Sequence, residues 1–176
     1  MISPNIMIDI ETLGLEPACV ILSIGAVTDT GEEFYIEISP NSQGDRLVNL
    51  DTVKWWMSQP IKPPMEGITG LANVLFNLSE FISQFTEPVI WANGTDFDIS
   101  ILTDAYRQFG RAIPWAYNSV RDYRTLAKLF TQVPRTVFQG DKHNALADAK
   151  HQMEHLKEIL AHIIRLERSY VATSEG

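Results

Sequence analysis

Two carboxylates placed two residues apart inside an apolar strand limit what this chain can become. The run Met7-Ile8-Asp9-Ile10-Glu11-Thr12 carries Asp9 and Glu11. Residues two apart on a strand face the same side, so both acids point one way from a strand otherwise made of apolar residues. Like charges side by side repel each other. A divalent cation removes that repulsion and suits hard oxygen ligands. A lone D-x-E triplet is more often the solvent-facing side of a strand, so the rest of the chain has to decide between the two.

The chain has 176 residues, enough for one ordinary domain with a sizeable core, and it reads as a single domain over 1–176. Residues 5–10 read as a first strand and 20–28 as a second, largely apolar one. Asp29-Thr30-Gly31 is a turn signal. Residues 33–38 then alternate, with Phe34, Ile36 and Ile38 on one face and Glu33, Tyr35 and Glu37 on the other. These three make an antiparallel meander. After a loop over 39–50, Asp51 is placed to cap a short helix to about residue 58, which Pro60, Pro63 and Pro64 break.

Residues 71–85 have helical spacing. A short buried strand over 89–92 precedes a helix over 98–109 that Gly110 ends. A fifth short strand falls at 119–121, before a helix to about 130. Following a loop over 131–142, a last helix runs from 144 to about 170, with Ala149, Met153, Leu156, Leu160 and Ile163 as its inner stripe. Three meander strands followed by strand–helix alternation predict an α/β fold: a mixed five-stranded sheet flanked by helices.

Two more clusters carry chemistry. Trp91-Ala92-Asn93-Gly94-Thr95-Asp96-Phe97-Asp98 lies where a buried strand passes into a helix. The ends of strands are favoured places for sites in α/β sheets, although one acid near a helix N-terminus is also ordinary helix chemistry. In His143-Asn144-Ala145-Leu146-Ala147-Asp148 the five-residue offset is not one helical face. Asn144 is a good N-cap, which puts His143 in the loop and Asp148 on the helix, where both can reach one site. Three separate segments thus each deliver a carboxylate, and one adds a histidine. A two-metal phosphodiesterase needs this set: carboxylates anchor two ions about 3.5–4 Å apart, and a base takes the proton of the attacking water.

The three segments resemble the motifs of the DEDDh exonucleases, a branch of the ribonuclease H-like superfamily. Asp9-Ile10-Glu11-Thr12 matches D-x-E-T, residues 93–98 match N-x3-F-D and select Asp98 over Asp96, and residues 143–148 match H-x4-D. More narrowly, Thr52-Val53-Lys54-Trp55-Trp56-Met57-Ser58-Gln59, Arg121-Asp122-Tyr123-Arg124-Thr125-Leu126 and His143-Asn144-Ala145-Leu146-Ala147-Asp148-Ala149 resemble the RNase AS and exonuclease VIII-like group of bacteria and phages. The resemblance runs from residue 5 to about 160 and implies a ribonuclease H-like fold.

It also implies 3′→5′ hydrolysis of single-stranded DNA or RNA, releasing nucleoside 5′-monophosphates. Asp9, Glu11 and Asp148 would hold one Mg²⁺ or Mn²⁺, Asp9 would bridge to a second ion with Asp98, and His143 would be the general base. Thr12 and Asn93, from the same motifs, would contact substrate, and a homodimer is expected. The alternatives are an oligoribonuclease-type scavenger of short oligonucleotides, a junction-cutting endonuclease, and a nucleic-acid-binding relative without activity.

Trp55 and Trp56 are adjacent on the short helix and project about 100° apart. Either one fills the core while the other faces the cleft and stacks on a terminal base, an interaction of about 1–3 kcal/mol that suits any base, or both belong to the core with Trp91 and Trp115.

Charge bears on the same point. The net charge of −8 argues against a tight electrostatic grip on nucleic acid. Residues 104–142, however, hold seven bases against three acids, so a local positive face is available. Other chemistries find little support. No apolar run reaches the roughly 18 residues of a membrane span. Met1-Ile2-Ser3-Pro4-Asn5 lacks the pattern of a signal peptide. The single cysteine, Cys19, reads as a small core residue and cannot form an internal disulfide, which together predict a cytoplasmic protein. Gly67-Ile68-Thr69-Gly70 is too short for a phosphate loop. His151 and His155, four apart on the last helix, lack the further ligands of a zinc site and read as exposed.

Overall fold

A computed structural model describes residues 4–138, 140 and 142–174, with the side chains of 172–174 left aside. Part of the N-terminal pentapeptide (1–3) and two positions of the 131–142 loop (139 and 141) lie outside the described residues.

Among the described residues, five strands form one sheet in the order β3 (Glu33–Glu37), β2 (Ile21–Thr28), β1 (Asn5–Thr12), β4 (Val89–Ala92) and β5 (Val120–Asp122). Strands β1, β2 and β3 are the antiparallel meander. Strand β4 runs parallel to β1, and β5 runs parallel to β4. The first strand extends two residues past the expected end. Glu11 pairs with Ser23 and Thr12 with Ile21, the register shifting between them.

Among the described residues, five α-helices accompany the sheet: α1 (Leu50–Ser58), α2 (Leu71–Ser83), α3 (Asp98–Gln108), α4 (Tyr123–Leu129) and α5 (Ala145–Ser174). A turn of 3₁₀ helix (Pro40–Ser42) interrupts the expected 39–50 loop. The cap of α1 is Asn49, one residue ahead of the helix, whose side chain accepts from the N–H groups of Asp51 and Thr52. Asp51 falls in the first turn instead, where its charge still favours the helix N-terminus. Among the described residues, no helix is long and apolar enough to cross a membrane.

Alternation along β1 divides the core. Ile6, Ile8 and Ile10 join Leu71, Val74, Leu75 and Leu78 of α2 and Ile101, Leu102 and Ala105 of α3, and Cys19 is buried in the same cluster. Met7 faces the other way, with Trp91, Tyr123, and Ala149, Met153, Leu156 and Ile159 of α5. Asp9 and Glu11 share the parity of Met7, so they emerge on the face that α5 covers. His155, expected on the surface, is also in that interior at 2% exposure. It is tolerated there because both ring nitrogens are engaged: Nδ1 lies 2.8 Å from the Tyr123 hydroxyl and Nε2 2.9 Å from the Val133 carbonyl. His151 is half-buried against the ring of Phe138, so the two histidines do not share a ligand site.

Candidate active site

Gly25 is the residue that lets the site close. It pairs with Asp9 across the β1–β2 ladder. A Cβ on Gly25 would lie 2.3 Å from the carbonyl carbon of Ala145 and from the nitrogen of Leu146. The first turn of α5 therefore rests on the bare backbone of β2, the close approach that a glycine inside a strand permits. The approach brings Asp148, in that first turn, to the acids of β1. Asp9, Glu11 and Asp148 each offer a carboxylate oxygen, and these three atoms lie within 4.8 Å of one another.

Asp98 enters from a different element. The turn after β4 passes through Gly94 at φ +114°, and Asp98 opens α3. It is 3% exposed, and its Oδ1 accepts from the N–H of Ile10 at 3.2 Å. Asp96, two residues earlier, is exposed, so the fold itself separates the two candidates. Asp98 is not one of the three acids within 4.8 Å, yet its charge acts on both Asp9 and Glu11.

The turn that delivers Asp98 is braced from β5 and α4. Asp122 accepts from Thr95 N at 3.0 Å and, as the N-cap of α4, from Thr125 N at 2.7 Å. Arg124 donates from Nη2 to the carbonyl of Asn93 at 2.6 Å and packs against Gly94. Asn93 thus contributes a carbonyl to this brace.

His143 has φ +63°, a left-handed conformation that is uncommon outside glycine. Such a residue persists only where its surroundings over-determine it. Its N–H donates to Oδ2 of Asp148 at 2.8 Å. Its ring makes edge-on contacts with Trp55, at 4.9 Å between centroids, and with Trp56, at 5.9 Å. Asn144 caps α5 by accepting from Ala147 N at 3.0 Å, as expected. Histidine, cap and Asp148 are thus locked into one short motif.

The tryptophans divide as their helical positions require. Trp56 is 2% exposed and donates from Nε1 to the carbonyl of Thr12 at 2.9 Å, whereas Trp55 is 43% exposed. Both line a cleft of about 510 Å³ with Glu11, Thr12, Leu15 and Phe97. Thr12 borders this cleft, but its hydroxyl is engaged with the carbonyl of Gly14 at 2.7 Å.

Crowding four acids changes their acidity. Burial, followed by the charges of Asp148 and Asp98, lifts Glu11 from 4.5 to about 8. Burial lifts Asp98 from 3.8 to about 7 against the opposing N–H donors of Ile10 and its own backbone. Asp9 is raised well above the carboxylate range by burial and then by Asp98 and Glu11, and Asp148 is raised by burial. An all-oxygen set that resists ionising on its own suits a hard divalent cation.

Two residues that touch this site were not singled out in the sequence. Gly25 carried the signal of a glycine inside a strand. Gln152, which donates to Asp9 Oδ1 at 2.8 Å, sits four residues after Asp148, on the same helical face.

The fold has known relatives. The nuclease domain of 3′hExo, described as a DEDDh family member bound to rAMP, superposes with a TM-score of 0.65 at 14% identity, covering 90% of this chain and 92% of that one. E. coli exonuclease I in its zinc-bound complex with single-stranded DNA gives 0.70 at 15% identity, over 98% of this chain and 43% of that one. The same enzyme with a dT13 oligonucleotide gives 0.69 at 16%, over 96% and 43%. The chain thus spans less than half of the exonuclease I chains it matches. At these identities the likeness establishes the fold, which is ribonuclease H-like. No curated protein sequence matches the chain. Residues 4–160 match the family described as the 3′-5′ exoribonuclease Rv2179c-like domain, and the chain belongs to that 3′-5′ exonuclease family.

Proposed function

We propose that this chain is a metal-dependent exonuclease that removes nucleoside 5′-monophosphates from the 3′ end of single-stranded nucleic acid, with RNA as the favoured substrate. The observation that carries the proposal is the convergence of Asp9, Glu11 and Asp148 within 4.8 Å, with Asp98 buried behind Ile10 and His143 tied to Asp148 through its backbone. The family description supplies the preference for ribose. The narrower placement, within the RNase AS and exonuclease VIII-like group, rests on the segments around Trp55–Trp56 and Arg121–Leu126, which here form the cleft wall and the brace beneath Asp98.

Asp9, Glu11 and Asp148 would hold one Mg²⁺ or Mn²⁺, and Asp9 with Asp98 a second. A bound divalent cation supplies charge neutralisation at the phosphate and lowers the pKa of water. The chain's own groups supply the rest. A ring nitrogen of His143 takes the proton of the attacking water, and the two tryptophans flank that ring with edge-on contacts. Trp55 offers an exposed apolar face for the terminal base, while Trp56 anchors the wall to β1. Stacking matters more to an acidic protein than to a basic one, because its attraction for phosphates is weaker. The resemblance also implies a homodimer, which sedimentation would test, and the single cysteine fits a reducing, cytoplasmic setting.

The experiment is a degradation ladder from 5′-labelled RNA and DNA of several lengths. Single-nucleotide shortening of long RNA supports the proposal. Cleavage confined to oligomers of a few nucleotides would favour the scavenger, internal cuts an endonuclease, and binding without products an inactive relative.

A further inference from the structure

On the α5-covered face of the sheet, Gln152 is a buried polar side chain that the carboxylate motifs do not account for. Gln152 follows Asp148 by one helical turn on α5, so both project from the same side. It is 7% exposed. Its Nε2 donates to Oδ1 of Asp9 at 2.8 Å. Its Oε1 is buried with no hydrogen-bond partner among the described residues. The neighbouring inward positions of the helix, Ala149, Met153 and Leu156, are apolar. A methionine at 152 would fill the space without leaving an amide oxygen unpaired. What the glutamine adds is a donor aimed at Asp9.

We propose that Gln152 is a positioning residue for the metal centre: its amide fixes the orientation of the Asp9 carboxylate, so that an oxygen is held toward Glu11, Asp148 and a divalent cation. The terminal torsion of an aspartate is broad, and a hydrogen bond to one of its oxygens selects among the available orientations. The donor is neutral. A lysine in its place would set a full positive charge against the cation, and a glutamate would add a fifth acid. An amide orients Asp9 without changing the charge of the centre. Partners that orient liganding groups in this way typically account for about 10–100-fold in metal affinity or activity.

The inference rests on the proposed metal centre, and the test separates the two. Mn²⁺ is titrated by calorimetry into the full-length, metal-free wild type, Gln152→Met and Gln152→Asn, without nucleic acid. Urea unfolding of the metal-free proteins is followed in parallel. The expected result for Gln152→Met is a Kd for Mn²⁺ raised about 10–100-fold, a metal-free unfolding midpoint equal to or above that of the wild type, and lost hydrolysis that partly returns as Mn²⁺ is raised. Gln152→Asn keeps the amide but is one methylene too short for the contact. It should show the same weakening, and it carries the test if the methionine variant does not fold. A wild-type Kd in either folded variant would overturn the positioning role, as would a loss of metal-free stability with unchanged affinity. A wild type that takes up no Mn²⁺ would overturn the metal centre itself, a result visible before any variant is made.

Discussion

The two faces of β1 are built from the same eight residues and do opposite work. On one side the side chains of Ile6, Ile8 and Ile10 pack in an apolar cluster with α2 and α3. On the other, Met7 begins an apolar layer that gives way after two residues to Asp9 and then Glu11, with Asp148 and Gln152 facing them from α5. Apolar burial on the first face stabilises the fold by roughly 1.5–3 kcal/mol for each large side chain. The second face concentrates acids whose ionisation burial opposes. The comparison teaches that the sheet's stability is anchored on one side, which lets the other carry a cluster of acids that opposes folding.

The sharpest way to break this comparison is to alter adjacent residues on opposite faces. Asp9→Asn should abolish nearly all hydrolysis while leaving the metal-free protein as stable as the wild type or more so, since one like charge is removed and the amide oxygen can still accept from Gln152. Ile8→Ala should do the reverse, costing about 2–5 kcal/mol of stability while the folded fraction keeps its activity. Urea unfolding and initial rates on labelled RNA read both. A destabilised Asp9→Asn, or a fully stable Ile8→Ala, would erase the distinction.

Within the charged face, His143→Ala should lower turnover by roughly 10²–10⁴-fold, the usual worth of a general base, with metal affinity changed much less. A variant turning over at the wild-type rate would reduce His143 to a loop residue.

These contrasts were unequally legible in the sequence. Strand alternation placed Asp9 and Glu11 on one side, and the positions of the five strands came within two residues of those observed. The divergent directions of Trp55 and Trp56 followed from helix geometry alone. The burial of His155 did not, because its partners, Tyr123 and Val133, lie 32 and 22 residues away and only the tertiary fold supplies them. The cap of α1 was misplaced because Asn49 and Asp51 are both good capping residues, and the chain's path after Leu13 decides between them: Asn49 N donates to the carbonyl of Leu13 at 2.7 Å. Gln152 was hidden by its setting in a polar stretch of α5, although its spacing from Asp148 was visible.

A smaller effect follows from the raised acidities. Glu11 titrates at about 8 and Asp98 at about 7 in the folded chain, against ordinary values of 4.5 and 3.8. The folded state therefore holds more protons than the unfolded state over that range, and stability falls as pH rises. The metal-free protein should lose melting temperature steadily from about pH 4.5 to about pH 8. Saturating Mg²⁺ or Mn²⁺ should flatten the decline, since a ligand of the folded state stabilises it. A metal-free melting temperature that rises across this window would show that the carboxylates are not crowded as described.

The smallest expected effect separates the tryptophans. Trp55→Ala should raise KM for a single-stranded substrate several-fold with little change in melting temperature. Trp56→Ala should mainly destabilise, because it removes a buried ring and its bond to Thr12. If both destabilise and neither alters KM, the cleft wall is structural and the base is held elsewhere.

The central claim is that the acids on the second face of β1 form a hydrolytic centre that requires a divalent cation. The most direct test is the rate of shortening of 5′-labelled single-stranded RNA by chelator-treated protein as Mg²⁺ or Mn²⁺ is returned. The account predicts no products in EDTA, a single-nucleotide ladder that appears with added metal, and no ladder at any metal concentration for Asp148→Asn. Full hydrolysis in EDTA by clean protein would contradict it.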